Sequence, residues 1–205
     1  MGKVRFDITM SVDGFVAGPN DGVGNGLGDG GERLHGWAYD LESFQRHHGR
    51  EGGETGVDSD VLEEAFENVG ATIMGRRMFD IAVDAWGEEP PFRVPVFVVT
   101  HRGADPLPKQ GGTTFHFVTD GIEAALEQAR DAAGDRDIAI AGGASVIQQY
   151  LAAGLVDEFQ VHIAPLFLGD GVRLFAAREV PQLQLEKTGA IDSAGVTHLK
   201  YRPVG

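Results

Sequence analysis

The sequence contains no cysteine, is poor in basic residues and has no long apolar run. It has 17 Lys and Arg against 31 Asp and Glu in 205 residues, a formal charge of -14. Without cysteine there are no disulfides, no thiolate zinc sites and no cysteine nucleophile. Without a run near ~18 apolar residues there is no candidate membrane helix. The start MGKVRFDITMSVDG has no signal-peptide apolar region, so a cytoplasmic protein is expected. The acidic balance argues against nucleic acid and anionic membrane as partners, because the long-range field repels phosphate. An anionic ligand would therefore need a local cluster of arginines. Glycine is abundant instead: 30 residues, about twice the ~7% average, with 13 of them between Gly14 and Gly56.

The length fits one domain with its own core. Residues 3–10 alternate apolar and polar, the period of a strand, and Asp13-Gly14 marks a turn before a short continuation at 15–17. Residues 18–56 show no sustained periodicity and are expected to be a long Gly-rich loop. Within it residues 32–48 have Leu34, Trp37, Leu41 and Phe44 at the spacing of one helix. From 57 onward strands and helices alternate: helix 58–68, strand 71–74, a helix opening at Gly75, strands 94–100 and 114–118, helix 122–133, strand 137–141 and helix 144–153. Strands at 158–164, 182–191 and 195–202 follow without a helix. This order predicts an α/β fold, a mixed and mostly parallel central sheet flanked by helices, with an antiparallel C-terminal edge. Val196, Leu199 and Tyr201 could make that edge apolar, suited to a homodimer.

Gly26-Leu27-Gly28-Asp29-Gly30-Gly31 satisfies G-x-G-x-x-G, yet no strand feeds it and no apolar helix leaves it, so it reads as loop. Two other glycine sites have the required context. Strand 137–141 runs into Gly142, Gly143, Ala144, Ser145 and Val146 at a helix start, and strand 71–74 runs into Gly75, Arg76, Arg77 and Met78. Free N–H groups at such starts favour phosphate. Arginines there oppose the helix dipole, a cost that an anionic ligand reverses. Strand 94–100 ends in Thr100, His101 and Arg102. Ligands of open parallel sheets bind beyond the carboxyl ends of strands, so these three ends predict a dinucleotide. The histidines show no metal-ligand spacing, and no metal is expected.

In order along the chain, Ser11-Val12-Asp13-Gly14-Phe15-Val16-Ala17, Gly75-Arg76-Arg77-Met78-Phe79, Val98-Val99-Thr100-His101-Arg102, Ala141-Gly142-Gly143-Ala144 and Pro165-Leu166-Phe167-Leu168-Gly169-Asp170-Gly171 resemble the dihydrofolate-reductase-like proteins related to the C-terminal reductase domain of bifunctional riboflavin-biosynthesis enzymes. The resemblance implies a dihydrofolate-reductase-like fold and NADPH as cofactor. Arg76, Arg102 and Thr100 would hold the adenosine 2′-phosphate. Arg77, Met78 and residues 142–146 would face the pyrophosphate, and Val16 and Ala17 would border the nicotinamide. The companion deaminase is not expected here, since its C-x-x-C zinc signature requires cysteine. Dihydrofolate reductases carry an acid on the helix after the first loop, with an aromatic four residues on. Asp40 and Phe44 look similar, making Asp40 the expected proton donor, with Trp37, Phe44, Phe79 and Asp13 as substrate contacts. Val161 stands where folate reductases place a threonine that bonds the acid. The implied activity is NADPH-dependent reduction of a small pterin- or pyrimidine-like heterocycle. The alternative is a nucleotide- or flavin-binding protein of the same fold without reductase chemistry, and the long loop could also serve a partner.

Overall fold

A computed structural model describes residues 2–175 and 182–204. Alternating apolar residues form β1 (Val4–Ser11), and Gly14, with φ +86°, turns the chain into β2 (Phe15–Ala17). After the glycine-rich region come α1 (Glu42–His47), α2 (Val57–Phe66), β3 (Val69–Gly75), α3 (Arg76–Trp86) and β4 (Pro95–Val99). A two-residue β5 (Leu107–Pro108) precedes β6 (Thr114–Val118), α4 (Ile122–Ala133), β7 (Asp137–Gly142) and α5 (Ala144–Ala152). The chain ends with β8 (Glu158–Ala164), β9 (Val172–Arg173), β10 (Gln184–Asp192) and β11 (Thr197–Val204). The main sheet runs β10-β11-β8-β1-β7-β3-β4-β6-β5, parallel from β8 through β6 and antiparallel at both margins, while β2 pairs with β9 apart from it.

The two faces of the sheet differ. One buries Val4, Phe6, Ile73, Phe97, Ile138, Ile140, Phe159 and Val161 under α4 and α5, with Phe6 and Phe159 stacked at 4.7 Å. On the other, Met74, Val96, Val98 and Phe115 pack under α3. The β1–β8–β11 part of that second face is polar although buried: Arg5, Thr9, Ser11, Gln160, His162 and His198. Buried polar groups are costly unless satisfied, so this face marks chemistry more than packing. β1 and β8 pair over seven residues, whereas β1 and β7 pair only at Val4 and Arg5. Beyond Arg5 the sheet therefore opens between β1 and β7 at its carboxyl end, where parallel sheets take ligands.

Two expectations are corrected. Residues 32–48 do not form one helix: a 3-10 turn at Gly31–His35 and a chain of turns precede the short α1, whose first residue is Glu42. Six glycines across residues 18–53 have positive φ, which favours turns over a helical run. Residues 18–31 form a glycine-rich loop, as expected, held by its own hydrogen bonds. Gly18 N–H donates to Leu27 O, Asp29 N–H to Pro19 O, and the Asn20 and Asn25 amides to the Asp29 carboxylate. A Cβ on Gly18 would lie 2.0 Å from Asp29 O, so the loop closes on itself only because glycine stands there. Finally, β11 is not an edge: β8 and β10 flank it, Val196 is buried, and Leu199 and Tyr201 pack on the core. The edge is β10, largely exposed.

Candidate active site

Two strand-to-helix turns meet at the carboxyl end of the sheet. Neither α3 nor α5 has a side-chain N-cap, Gly75 and Gly143 occupying the cap positions. Their first N–H groups are thus free for an anion. The turns pack closely: a Cβ on Gly75 would meet Val146 Cγ2 at 2.9 Å, and Gly142, at φ +129°, would set one 3.4 Å from Met78 Sδ. Gly142, Gly143, Ala144 and Ser145 therefore lie beside Gly75 and Met78 in one glycine-lined cradle.

Beside it, two guanidiniums converge on one carboxylate. Arg76 Nε donates to Asp80 Oδ1 at 2.6 Å and Arg102 Nη2 to Asp80 Oδ2 at 2.8 Å. Arg76 also lies over the Phe117 ring, 5.4 Å from its centroid. The Thr100 hydroxyl accepts the Arg102 N–H at 3.0 Å and fixes the turn that delivers Arg102, while His101 is exposed. Arg77 points elsewhere: Nε and Nη2 bond the Asp21 carboxylate and carbonyl, tying the glycine-rich loop to the start of α3. That pairing holds the Arg77 guanidinium above its ordinary pKa. An uncapped glycine cradle beside two converging cations suits a phosphorylated dinucleotide. Arg76 and Arg102 would take a ribose phosphate, residues 142–146 and Met78 the pyrophosphate, with Val16 and Ala17 in β2 farther along.

The expected substrate residues separate. Asp13 accepts the N–H groups of Leu168 and Gly169, at 3.2 and 2.7 Å, and its carbonyl accepts from Arg173. The Ser11 hydroxyl and those backbone donors hold its carboxyl below the usual range, the signature of a turn anchor rather than a substrate contact. Phe79 is core, edge-on to Phe115 and Phe117. Phe44 stacks on His48 and packs with Ala38, Leu41 and Leu62. Asp40 is exposed in the turn before α1, where its carbonyl accepts Glu54 N–H, so the helical face shared with Phe44 does not exist. Val161 faces the apolar core, and its neighbour His162 takes the polar face opposite Thr9.

Trp37 does stand on that polar face. Its Nε1 donates to Thr9 Oγ1 at 3.3 Å, and its ring lies 5.0 Å from His162 and 5.1 Å from His198. His162 Nδ1 meets His198 Nδ1 at 2.7 Å, and His198 Nε2 meets Asp58 Oδ1 at 3.0 Å. His162 lies within the strand expected at 158–164, and Asp58 stands at the start of the helix expected over 58–68. The signal was a histidine in each of two strands that become neighbours, and nothing in their spacing showed that.

Architecture and cradle define the class: a dihydrofolate-reductase-like fold of reductase type. The dihydrofolate reductase of Enterococcus faecalis complexed with NADP(H) shares it, with TM-score 0.58 and 12% identity over 100% of this chain and 98% of that one. A crystal structure of a putative riboflavin biosynthesis protein from Shewanella sp. PV-4 matches with TM-score 0.68 and 21% identity over 99% of both chains. Within that class the chain belongs to the RibD C-terminal domain family, whose model matches residues 2–197. An uncharacterized protein of Bacillus subtilis, YyaP, is 26% identical over 97% of this chain and 94% of its own length. No helix among the described residues is long and apolar enough to cross a membrane.

Proposed function

We propose that the chain is an NADPH-dependent reductase of a small planar heterocycle, pterin- or pyrimidine-like, carrying a C=N or C=O bond. One observation carries the reading: Arg76 and Arg102 converge on a single carboxylate beside two uncapped helix starts that touch through glycine. On a chain of charge -14, that local excess of donors is a place where a dinucleotide phosphate gains affinity. The cofactor supplies a hydride when bound. The protein holds its phosphates at α3 and α5, and the gap between β1 and β7 leads from that cradle to the polar face bearing Thr9 and Trp37. Trp37 offers a ring for a flat substrate to stack on. Equilibrium binding tests the reading. NADPH binds more tightly than NADH, and Arg76→Ala removes the difference by weakening NADPH about tenfold, the effect of ~1.4 kcal/mol. Failure to bind either nucleotide overturns it.

A further inference from the structure

We infer that Asp58, His198 and His162 form a built-in proton relay whose outer nitrogen, His162 Nε2, supplies the proton that reduction of the heterocycle requires. The inference rests on the reductase reading for its substrate and on the side-chain geometry for its direction. His162 is 3% exposed, His198 2%, and their contact at 2.7 Å is a hydrogen bond with no room for an ion between. Two facing Nδ1 atoms must be one donor and one acceptor. His198 Nε2 lies 3.0 Å from the Asp58 carboxylate, which only accepts, so His198 donates there. When His198 is neutral its Nδ1 is the acceptor, and His162 donates from Nδ1. His162 Nε2 is then a bare lone pair, and among the described residues it has no bonding partner. Three residues far apart in sequence thus fix one tautomer.

The surroundings of His162 are Thr9 of β1, the Trp37 ring, His35 of the 3-10 turn and His198 of β11. The charged groups nearby are Asp58 of α2 and, through His35, Glu32. His35 Nδ1 is itself buried without a partner. Burial and the neighbouring imidazoles keep His162 neutral, its pKa lowered to about 3. A proton entering at Nε2 is therefore stabilised by moving inward. The His162 Nδ1 proton passes to His198 Nδ1, and the resulting imidazolium rests against the Asp58 carboxylate. That carboxylate also accepts the Ser193 hydroxyl at 2.9 Å.

The step balances. In the charged relay His162 carries a proton on Nε2, and His198 carries protons on both nitrogens. As hydride adds to the carbon of the C=N or C=O bond, the π electron pair moves to the heteroatom, which takes the Nε2 proton. His198 returns its Nδ1 proton to His162 Nδ1, restoring the neutral tautomers. Water recharges the relay at Nε2. No part of the step needs Asp40, which lies exposed in its turn.

Histidine-selective ¹⁵N NMR on the full chain without nucleotide tests the relay directly. The expected neutral state has His162 protonated on Nδ1 and bare on Nε2, with His198 protonated on Nε2. Asp58→Asn weakens the acceptor that holds the proton on His198 Nε2, and the ¹⁵N shifts of both rings are expected to move toward mixed tautomers. A neutral His162 carrying Nε2–H in the wild type, or ring shifts indifferent to Asp58, overturns the relay. If Asp58→Asn does not fold, the wild-type tautomers alone decide. The catalytic part is read from NADPH oxidation with a panel of dihydropterins and 5,6-diaminouracils. His162→Asn lowers kcat about 100-fold with KM little changed and alters the pH profile. Unchanged kcat and pH profile overturn the proton role. Absence of turnover with every probe counts against the reductase reading, while the NMR result still decides the relay.

Discussion

Asp80 stands between the two guanidiniums where the proposed 2′-phosphate would sit, bonded to Arg76 at 2.6 Å and to Arg102 at 2.8 Å. A carboxylate there aligns the arginines, and it also repels a phosphate that shares them. With Arg102 69% exposed, solvent weakens the alignment more than the repulsion at contact distance. Replacing Asp80 by Asn should therefore tighten binding of adenosine 2′,5′-bisphosphate about fivefold to tenfold, measured by titration calorimetry, and widen the preference for NADPH over NADH. Weaker binding in the variant would show that alignment dominates. Arg76, Thr100 and Arg102 were legible as a group because each follows a strand that local periodicity reveals. Arg77 was legible only as a charge. Its bond to Asp21, 56 residues away, depends on how the glycine-rich loop folds back. Phe79, expected as a substrate contact, is core instead, since helical spacing gives an aromatic a face without saying what covers it.

At the scale of elements, the glycine turns of β3–α3 and β7–α5 act as one piece. A methyl group on Gly75 would meet Val146 Cγ2 at 2.9 Å, closer than a side chain tolerates. Gly75→Ala is expected to destabilise by about 1–3 kcal/mol through overpacking, and to weaken nucleotide binding by forcing the two helix starts apart. Val146→Ala should relieve part of that cost. A double-mutant cycle by urea unfolding then gives a coupling energy of about 1 kcal/mol or more, and simple additivity would refute the contact. The helices and longer strands from residue 57 onward were readable because each repeats its own period over five to twelve residues, whereas the two-residue β5 and β9 carry no period to read. The 32–48 segment misled because four apolar residues at helical spacing are compatible with successive turns, and Trp37 and Leu41 were apolar for tertiary reasons. Trp37 covers two histidines, and Leu41 packs with Ala38 and Leu62.

Over the whole molecule the polar sheet face makes stability depend on pH. His162 and His47 are both held neutral by burial, with pKa values lowered to about 3 and about 4. Because these folded values lie below the unfolded one, their contribution is complete above pH ~6.5 and is lost as pH falls. Asp7 works in the opposite sense. Burial raises it to about 6 against the attraction of Arg5, so the fold gains from this residue as pH drops from about 6 toward 4. Two histidines outweigh one carboxyl, and His162 alone accounts for about 2 kcal/mol at pH 5. The urea midpoint should be lower at pH 5 than at pH 7.5. Asp7→Asn, which removes the opposing gain, should enlarge the difference, and a flat profile would show that these groups are not buried in solution. Local sequence encodes what neighbours along the chain can specify: an α/β fold, its mostly parallel order, an acidic composition, and basic residues at strand ends. Period, turn residues and charge are properties of neighbours along the chain. Packing set which strand became the edge, where Arg77 turned, and that Asp58, His198 and His162 stand in line. The first and last depend on the register of β8 between β1 and β11, the second on how the glycine-rich loop folds back, and no local pattern specifies either.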